Sequence, residues 1–426
     1  MDTLRETQFA PAKSLAAYQL QLIERLARHA QASVPFHGDR LTPLFRGGRF
    51  DIADWHNVPL MTRNDIRSQG PALFAPPDSF AAEGASQGKT SGTTGMPLKY
   101  RQSGFAIIAS ACQNERMFEA HDLDRRGHKA FIRAQSDGSA PYPLGRNTSG
   151  WNLTFPWARA SELEISTPID DQAEWLMRRH PRYLMSYGSN AAAIARWLHA
   201  QGMALELSAV LTVGETVDDE IRQDVERGFG CNIIDSYGAS ETGYIAFECP
   251  AGGGYHVCAE SMLVEILGDD GAPVPPGMLG RIVVTSLYNY AMPLLRYAIG
   301  DYGVAADGPC RCGRTLPRLA SIAGRSRNVF TFIDGSQRSL WKWRGEFRHA
   351  ITARKFQIVQ TAPDLVELRY VPLDGAPAPD PRRVAEIGRK TIHPTVLVIP
   401  VCVDDIARTP SGKIEDCISL VTPSLR

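Results

Sequence analysis

The chain has 426 residues, 43% of them hydrophobic and 22% charged, and its 46 basic and 46 acidic side chains cancel to a formal net charge of zero. Neutrality without a basic run excludes a field that would gather nucleic acid or an anionic membrane surface, so a nucleotide has to be held locally. The first residues lack the basic and apolar segments of a signal peptide, no run of about 18 apolar residues occurs, and eight cysteines are too dilute for a disulfide scaffold, so a cytoplasmic protein with no membrane partner is expected.

Taken in chain order, residues 12–31 place Leu15, Leu20, Leu22, Ile23 and Leu26 near helical spacing and predict an amphipathic helix. Thr62, with Asp65 three positions on, reads as a helix N-cap. Then comes Thr90-Ser91-Gly92-Thr93-Thr94-Gly95-Met96-Pro97. Its two glycines let successive N–H groups converge on an anion, and its four hydroxyls add donors, which is what a triphosphate requires. The Gly-Lys-Ser/Thr ending of the Walker A loop is missing, and a flexible surface loop has the same composition. Lys99 either reaches phosphate or is simply solvated.

Residues 170–202 predict two helices parted near Pro181 and Gly188. Short β-rich runs follow at Ala209–Val213, 232–236, 263–267 and 281–286, with a helix over 218–228. That alternation predicts a layered α/β body. The run Asp235-Ser236-Tyr237-Gly238-Ala239-Ser240-Glu241-Thr242 sets an aromatic face, a hydroxyl and a carboxylate at the end of a strand. Magnesium takes oxygen ligands and few carboxylates beside substrate phosphates, so Glu241 is a candidate magnesium ligand. An ordinary turn with a capping serine is the plainer alternative.

Cys249, His256, Cys310 and Cys312 lie in turn-rich stretches and form a separate set. Three thiolates and an imidazole suit a closed, structural zinc site, although Cys-x-Cys is tighter than the usual ligand spacing. Idle buried thiols are the alternative, and Cys258 is the substitute ligand if His256 is not one. Beyond about residue 324 the texture changes. Strands at 329–333, 356–360 and 366–371, a helix over Pro381–Thr391 and a strand at 396–402 predict a small α+β unit. The expected division is therefore 1–324 and 325–426.

Together these features resemble the adenylate-forming superfamily of acyl-CoA synthetases, adenylation domains and luciferases, most closely its phenylacetate-CoA ligase-like branch. Residues 20–37 and 58–67 are similar to the opening elements of that branch, and Ser91, Gly92, Thr93, Thr94 and Gly95 match its phosphate loop. Gly214-Glu215 matches the turn beside the adenine pocket, and Tyr237–Glu241 the aromatic-Gly-x-Thr-Glu motif, with Ser240 in place of threonine. Arg296–Asp301 matches Arg-Tyr-x-x-Gly-Asp, whose aspartate holds ribose, Gly324-Arg325-Ser326 the hinge, and Pro410–Lys413 the motif whose lysine carries adenylation.

The resemblance implies a large N-terminal domain of α/β and β-rich parts with a small, mobile α+β C-terminal domain. It also implies ATP and magnesium as reactants, Tyr237, Gly238 and Ser240 beside the nucleotide, Asp301 and Arg325 on ribose, and Glu241 and Lys413 in catalysis. Part of the branch also carries a comparable Cys/His set. The expected substrate is a small carboxylic acid, aromatic by the habit of the branch, with Trp151, Phe155, Tyr187 and Tyr237 as candidate pocket walls and Ala239 leaving room for a ring. The chain departs from the branch at Arg327-Asn328 and at Asp334-Gly335-Ser336-Gln337, where an Arg-Gly-x-Asn stretch borders the CoA channel. The acceptor is therefore CoA, a carrier-protein thiol or an amine, a homodimer is allowed, and a degenerate zinc-stabilised relative is a third reading.

Overall fold

The computed structural model describes residues 1–89, 98–134, 138–325, 329–339, 346–347, 350–373, 375–406 and 417–421. The opening amphipathic pattern becomes the helix Ala12–Ser33, which buries Leu15, Leu22, Ile23 and Leu26. Leu20, counted in that stripe, is instead 38% exposed. Val34, the residue before Pro35, is extended and ends the helix, because proline disfavours an α conformation in the residue it follows. Thr62 caps the helix Arg63–Gln69 in a full capping box with Asp65.

Twelve strands form one continuous sheet. Ile233–Ala239, Ala209–Val213, Tyr183–Ser186, Lys129–Arg133 and Arg159–Glu164 are neighbours and run parallel. Their side chains alternate between two buried faces, as a parallel sheet covered on both sides demands. Ala130, Ile132, Leu184, Val210 and Ile233 pack with Trp175, Ile194 and Val225 from the helices Ile169–Arg179, Gly188–Ala200 and Asp219–Phe229. Phe131, Ala160, Tyr183, Leu211 and Ile234 face the other way, onto a core that includes Met117 and Phe118 of the helix Gly104–Ala120. The two helices expected over 170–202 are present, but the strand Tyr183–Ser186 lies between them.

The rest of the sheet is antiparallel. Met262–Leu267, Leu279–Ser286, Tyr297–Ala305 and Arg318–Arg325 form a meander. The last of these returns to pair with Tyr255–Val257, which joins Gly243–Glu248 and so the parallel half. The seam is short: Tyr255 faces Leu319 and His256 faces Arg318.

A separate four-stranded sheet runs in the order Leu397–Cys402, Leu365–Pro372, Ala353–Ala362, Cys417–Ser419. The helix Pro381–Thr391 links its two parallel strands Leu365–Pro372 and Leu397–Cys402 and contributes Val384 to their own apolar core. The α/β class and the α+β texture at the C-terminal end agree with the expectation from the sequence. No helix among the described residues is long and apolar enough to cross a membrane.

Candidate functional site

In open α/β sheets ligands settle at the carboxyl ends of the parallel strands. Three of the singled-out groups lie there. Gly214 follows Ala209–Val213 with φ +82°, a conformation glycine adopts at no steric penalty. Glu215 beside it accepts a hydrogen bond from Ser189 N at 3.0 Å, which satisfies one of the orphan amides at the start of the helix Gly188–Ala200. Its carboxylate therefore anchors the turn to that helix.

The strand Ile233–Ala239 runs further than the sequence pattern indicated, carrying Tyr237 and Gly238 inside it rather than in a turn after it. A register shift falls between these two residues. Gly238 is required on steric grounds, since a Cβ there would lie 2.6 Å from Gly243 O. Tyr237 donates its hydroxyl hydrogen bond to Asp301 Oδ2 at 2.8 Å, so two motifs read separately along the sequence meet in space. Asp301 is also in register with Arg325, whose strand ends there. The side chain of Arg325 lies outside the described residues.

Glu241 is 2% exposed. Its Oε1 accepts from the Tyr297 hydroxyl at 2.9 Å and faces Arg63 Nη1 at 3.5 Å. Among the described residues Oε2 accepts no hydrogen bond, which leaves one carboxylate oxygen for a hard cation. Ser240 is exposed and lies near Tyr100, whose phenol is raised by burial and then by the Glu241 charge. Lys99 is exposed. Ser91, Gly92, Thr93, Thr94, Gly95 and Lys413 lie outside the described residues.

Two groups here escaped the sequence reading. Arg63 lies in the stretch 58–67 noted for its cap and its resemblance to the branch, and no local pattern links it to Glu241. Asp235 is 4% exposed, with Thr212 donating to Oδ1 at 2.6 Å and Tyr255 to Oδ2 at 2.7 Å. Burial outweighs both hydrogen bonds and pushes its carboxyl up to about 7.

Of the aromatic residues expected around a flat pocket, Trp151 and Tyr237 share one core with Phe155 packed against it, and Tyr187 lies apart. Trp151 belongs to the core on one face of the sheet, with its ring 5.2 Å from Phe118 and 4.2 Å from Lys129 Nζ. Tyr187 packs on the other face. Phe155 stacks edge-on with Trp157 under Arg126. Ala239 is half-buried against the main core.

The Cys/His set does assemble. Cys249, His256, Cys310 and Cys312 offer ligand atoms all within 4.8 Å of one another. Cys310 Sγ lies 3.4 Å from both other sulfurs, and His256 Nε2 lies 3.2 Å from Cys312 Sγ. Tetrahedral ligands at ordinary zinc distances would sit ~3.5–3.8 Å apart, so the donors fit such an ion. Burial lowers His256 to about 4, which keeps the imidazole in its neutral, ligating form. Cys258, the substitute ligand, is buried outside this group. The cluster also lies on the seam: His256 is one of its paired residues, and Cys310 and Cys312 stand in the loop that delivers Arg318.

No protein-family model matches the chain. It is 27% identical over 340 residues to phenylacetate-coenzyme A ligase of Thermus thermophilus, across 76% of this chain and 73% of that one. A ligase of the same name from Pseudomonas putida is 26% identical over 335 residues, across 75% and 72%. This chain is similar to the phenylacetate-CoA ligases. The fold agrees with that similarity. The solved structure of 2-hydroxyisobutyryl-CoA ligase with R3-HIB-AMP superposes with a TM-score of 0.76, covering 97% of this chain and 91% of that one at 18% identity. Anthranilate CoA ligase with anthranoyl-AMP gives a TM-score of 0.58 over 77% and 64% at 17% identity. At such identities the two structures establish a shared architecture.

Proposed function

We propose that this chain uses ATP to activate a carboxylic acid and then passes the acyl group to CoA. The substrate carboxylate oxygen attacks the α-phosphorus of ATP, the bond to the β-phosphate oxygen breaks, and pyrophosphate leaves. The CoA sulfur then attacks the acyl carbon, its thiol proton goes to solvent, and AMP leaves. One observation carries the reading: the Glu241–Tyr297–Arg63 cluster adjoins the Tyr237–Asp301 pair at the end of the strand Ile233–Ala239, in a chain similar to CoA ligases.

Phosphoryl-group displacement of this kind is mostly positioning and charge neutralisation. Asp301, steadied by Tyr237, takes the ribose hydroxyls together with Arg325, and the Tyr237 ring and the Gly214-Glu215 turn border the base. Gly238 and Ser240 border the phosphates, and the amides and hydroxyls of Ser91, Gly92, Thr93, Thr94 and Gly95 hold the β and γ groups. Glu241 would hold magnesium, a fit supported by its Oε2. When bound, that ion neutralises phosphate charge. Lys413 bridges the attacking carboxylate and the α-phosphate. A C-terminal unit over 325–426, moving against 1–324, would bring that lysine in for the first step alone.

Cys249, His256, Cys310 and Cys312 would hold zinc in a purely structural role, since four protein ligands leave no position for substrate. The relatives' names favour an aromatic acid.

A panel of aryl and alkyl acids scored for pyrophosphate release with ATP and magnesium, with and without CoA, tests the reading. The expected result is release with one clear aromatic winner and a thioester when CoA is added. Silence across the panel while ATP still binds would overturn it, and release indifferent to CoA would move the acceptor to an amine or a carrier-protein thiol.

A further inference from the structure

We infer that Arg296 is a positioning residue that aims both groups holding Glu241. The inference rests on the proposed role of Glu241 in the ATP-dependent step. Arg296 is 3% exposed and sits at φ +48°, a left-handed conformation that a non-glycine residue keeps only when its surroundings over-determine it. The surroundings are explicit. Its N–H donates to Thr285 Oγ1 at 3.0 Å. Its carbonyl accepts from Met61 N at 2.9 Å, and Ala298 N donates to Met61 O at 2.8 Å. The guanidinium Nη1 donates to the carbonyls of Trp55, His56 and Val58 at 3.3, 2.8 and 2.8 Å, while Nη2 stands 3.4 Å from Glu265 Oε1.

Arg40 fastens the same contact from the other side, donating to Leu295 O at 2.8 Å and to Pro59 O. Segment 55–61 is thus docked on the strand Tyr297–Ala305, with Met61 bridged to Tyr297. Next after Arg296 comes Tyr297, and two residues past Met61 comes Arg63. These are the two side chains that meet Glu241 Oε1. One buried fork therefore sets the spacing of both. A lysine would keep the charge but lacks the planar fork that reaches several acceptors at once.

The test is a double-mutant cycle of Arg296→Lys and Arg63→Gln, read as pyrophosphate release against magnesium concentration, with melting temperatures alongside. Acting through Arg63 and Tyr297 together, Arg296→Lys is expected to raise the half-saturating magnesium about fivefold or more, and the double variant to fall well short of the product of the two single effects. Effects that multiply independently would overturn the inference. So would a lower melting temperature with an unchanged magnesium profile, the signature of a merely structural arginine. If Arg296→Lys does not fold, Arg40→Lys loosens the same docking and is expected to shift magnesium in the same direction; no shift there overturns the inference. Wild-type protein that releases no pyrophosphate would overturn the functional reading, and the inference with it, and is told apart by the wild-type arm.

Discussion

The Tyr297 hydroxyl donates to the buried Glu241 carboxylate across 2.9 Å, joining a residue four positions before Asp301 to one that follows the strand Ile233–Ala239. A buried charge of this kind needs its partners, and removing one leaves the rest of the group under-satisfied. Tyr297→Phe is expected to lower the melting temperature by several degrees and slow pyrophosphate release about tenfold. Glu241→Gln keeps the shape and removes the charge. It is expected to leave the fold intact, measured by circular dichroism, while pyrophosphate release drops by ~100-fold and no longer responds to magnesium.

The Tyr237–Asp301 pair predicts a different kinetic signature. Asp301→Asn should raise KM for ATP by about tenfold, with KM for the acid changing less than twofold. Tyr237→Phe should reproduce part of that rise, since it removes one hydrogen-bond donor from the aspartate and leaves the carboxylate in place. Equal changes in both KM values would mean that the pair supports the whole site and not the nucleotide.

Metal analysis of purified protein should find one zinc per chain, and a Cys310→Ser variant should find much less. Because the cluster lies on the two-residue seam between the halves of the sheet, losing the ion is expected to lower the melting temperature by ten degrees or so. The acid profile of the surviving folded fraction should be unchanged. A changed acid preference would place the metal nearer the chemistry than its four ligands allow.

Asp235 gives a pH dependence with a definite sign. Its folded-state value is raised from 3.8 to about 7, so the stability linked to its proton is complete below 3.8 and is lost as pH rises through about 7. A shift of that size corresponds to roughly 4 kcal/mol at most. Melting temperatures measured from pH 5 to 8 should therefore fall more steeply for the wild type than for Asp235→Asn, and parallel curves would sink the assignment.

Local chemistry was legible from residues alone. The Thr62–Asp65 capping box, the opening helix and the Cys/His set each rest on patterns that survive folding, because the partners are close in sequence or chemically unusual. Residues held by long-range contacts were not. Nothing near Arg63 signals Glu241, and Trp151, a plausible pocket wall by type, serves the core because large aromatic rings bury the most area wherever they fall. The strand Tyr183–Ser186 is too short to show a period, and so disappeared between two helices. Lys129 is the sharpest miss. Burial among Phe118, Phe131 and Trp151 lowers its amine to about 7, and nothing in the sequence around it singles it out.

Order of synthesis gives the seam a further meaning. The ribosome completes Tyr255–Val257 long before it makes Arg318–Arg325, the strand that pairs with it and closes the sheet. Until then the nascent chain carries an open strand edge with Cys249 and His256 beside it, and unpaired edges recruit other chains. Cys310 and Cys312 emerge just before the closing strand does. A cell short of the proposed metal would therefore make less of this protein, while each finished molecule kept its full turnover.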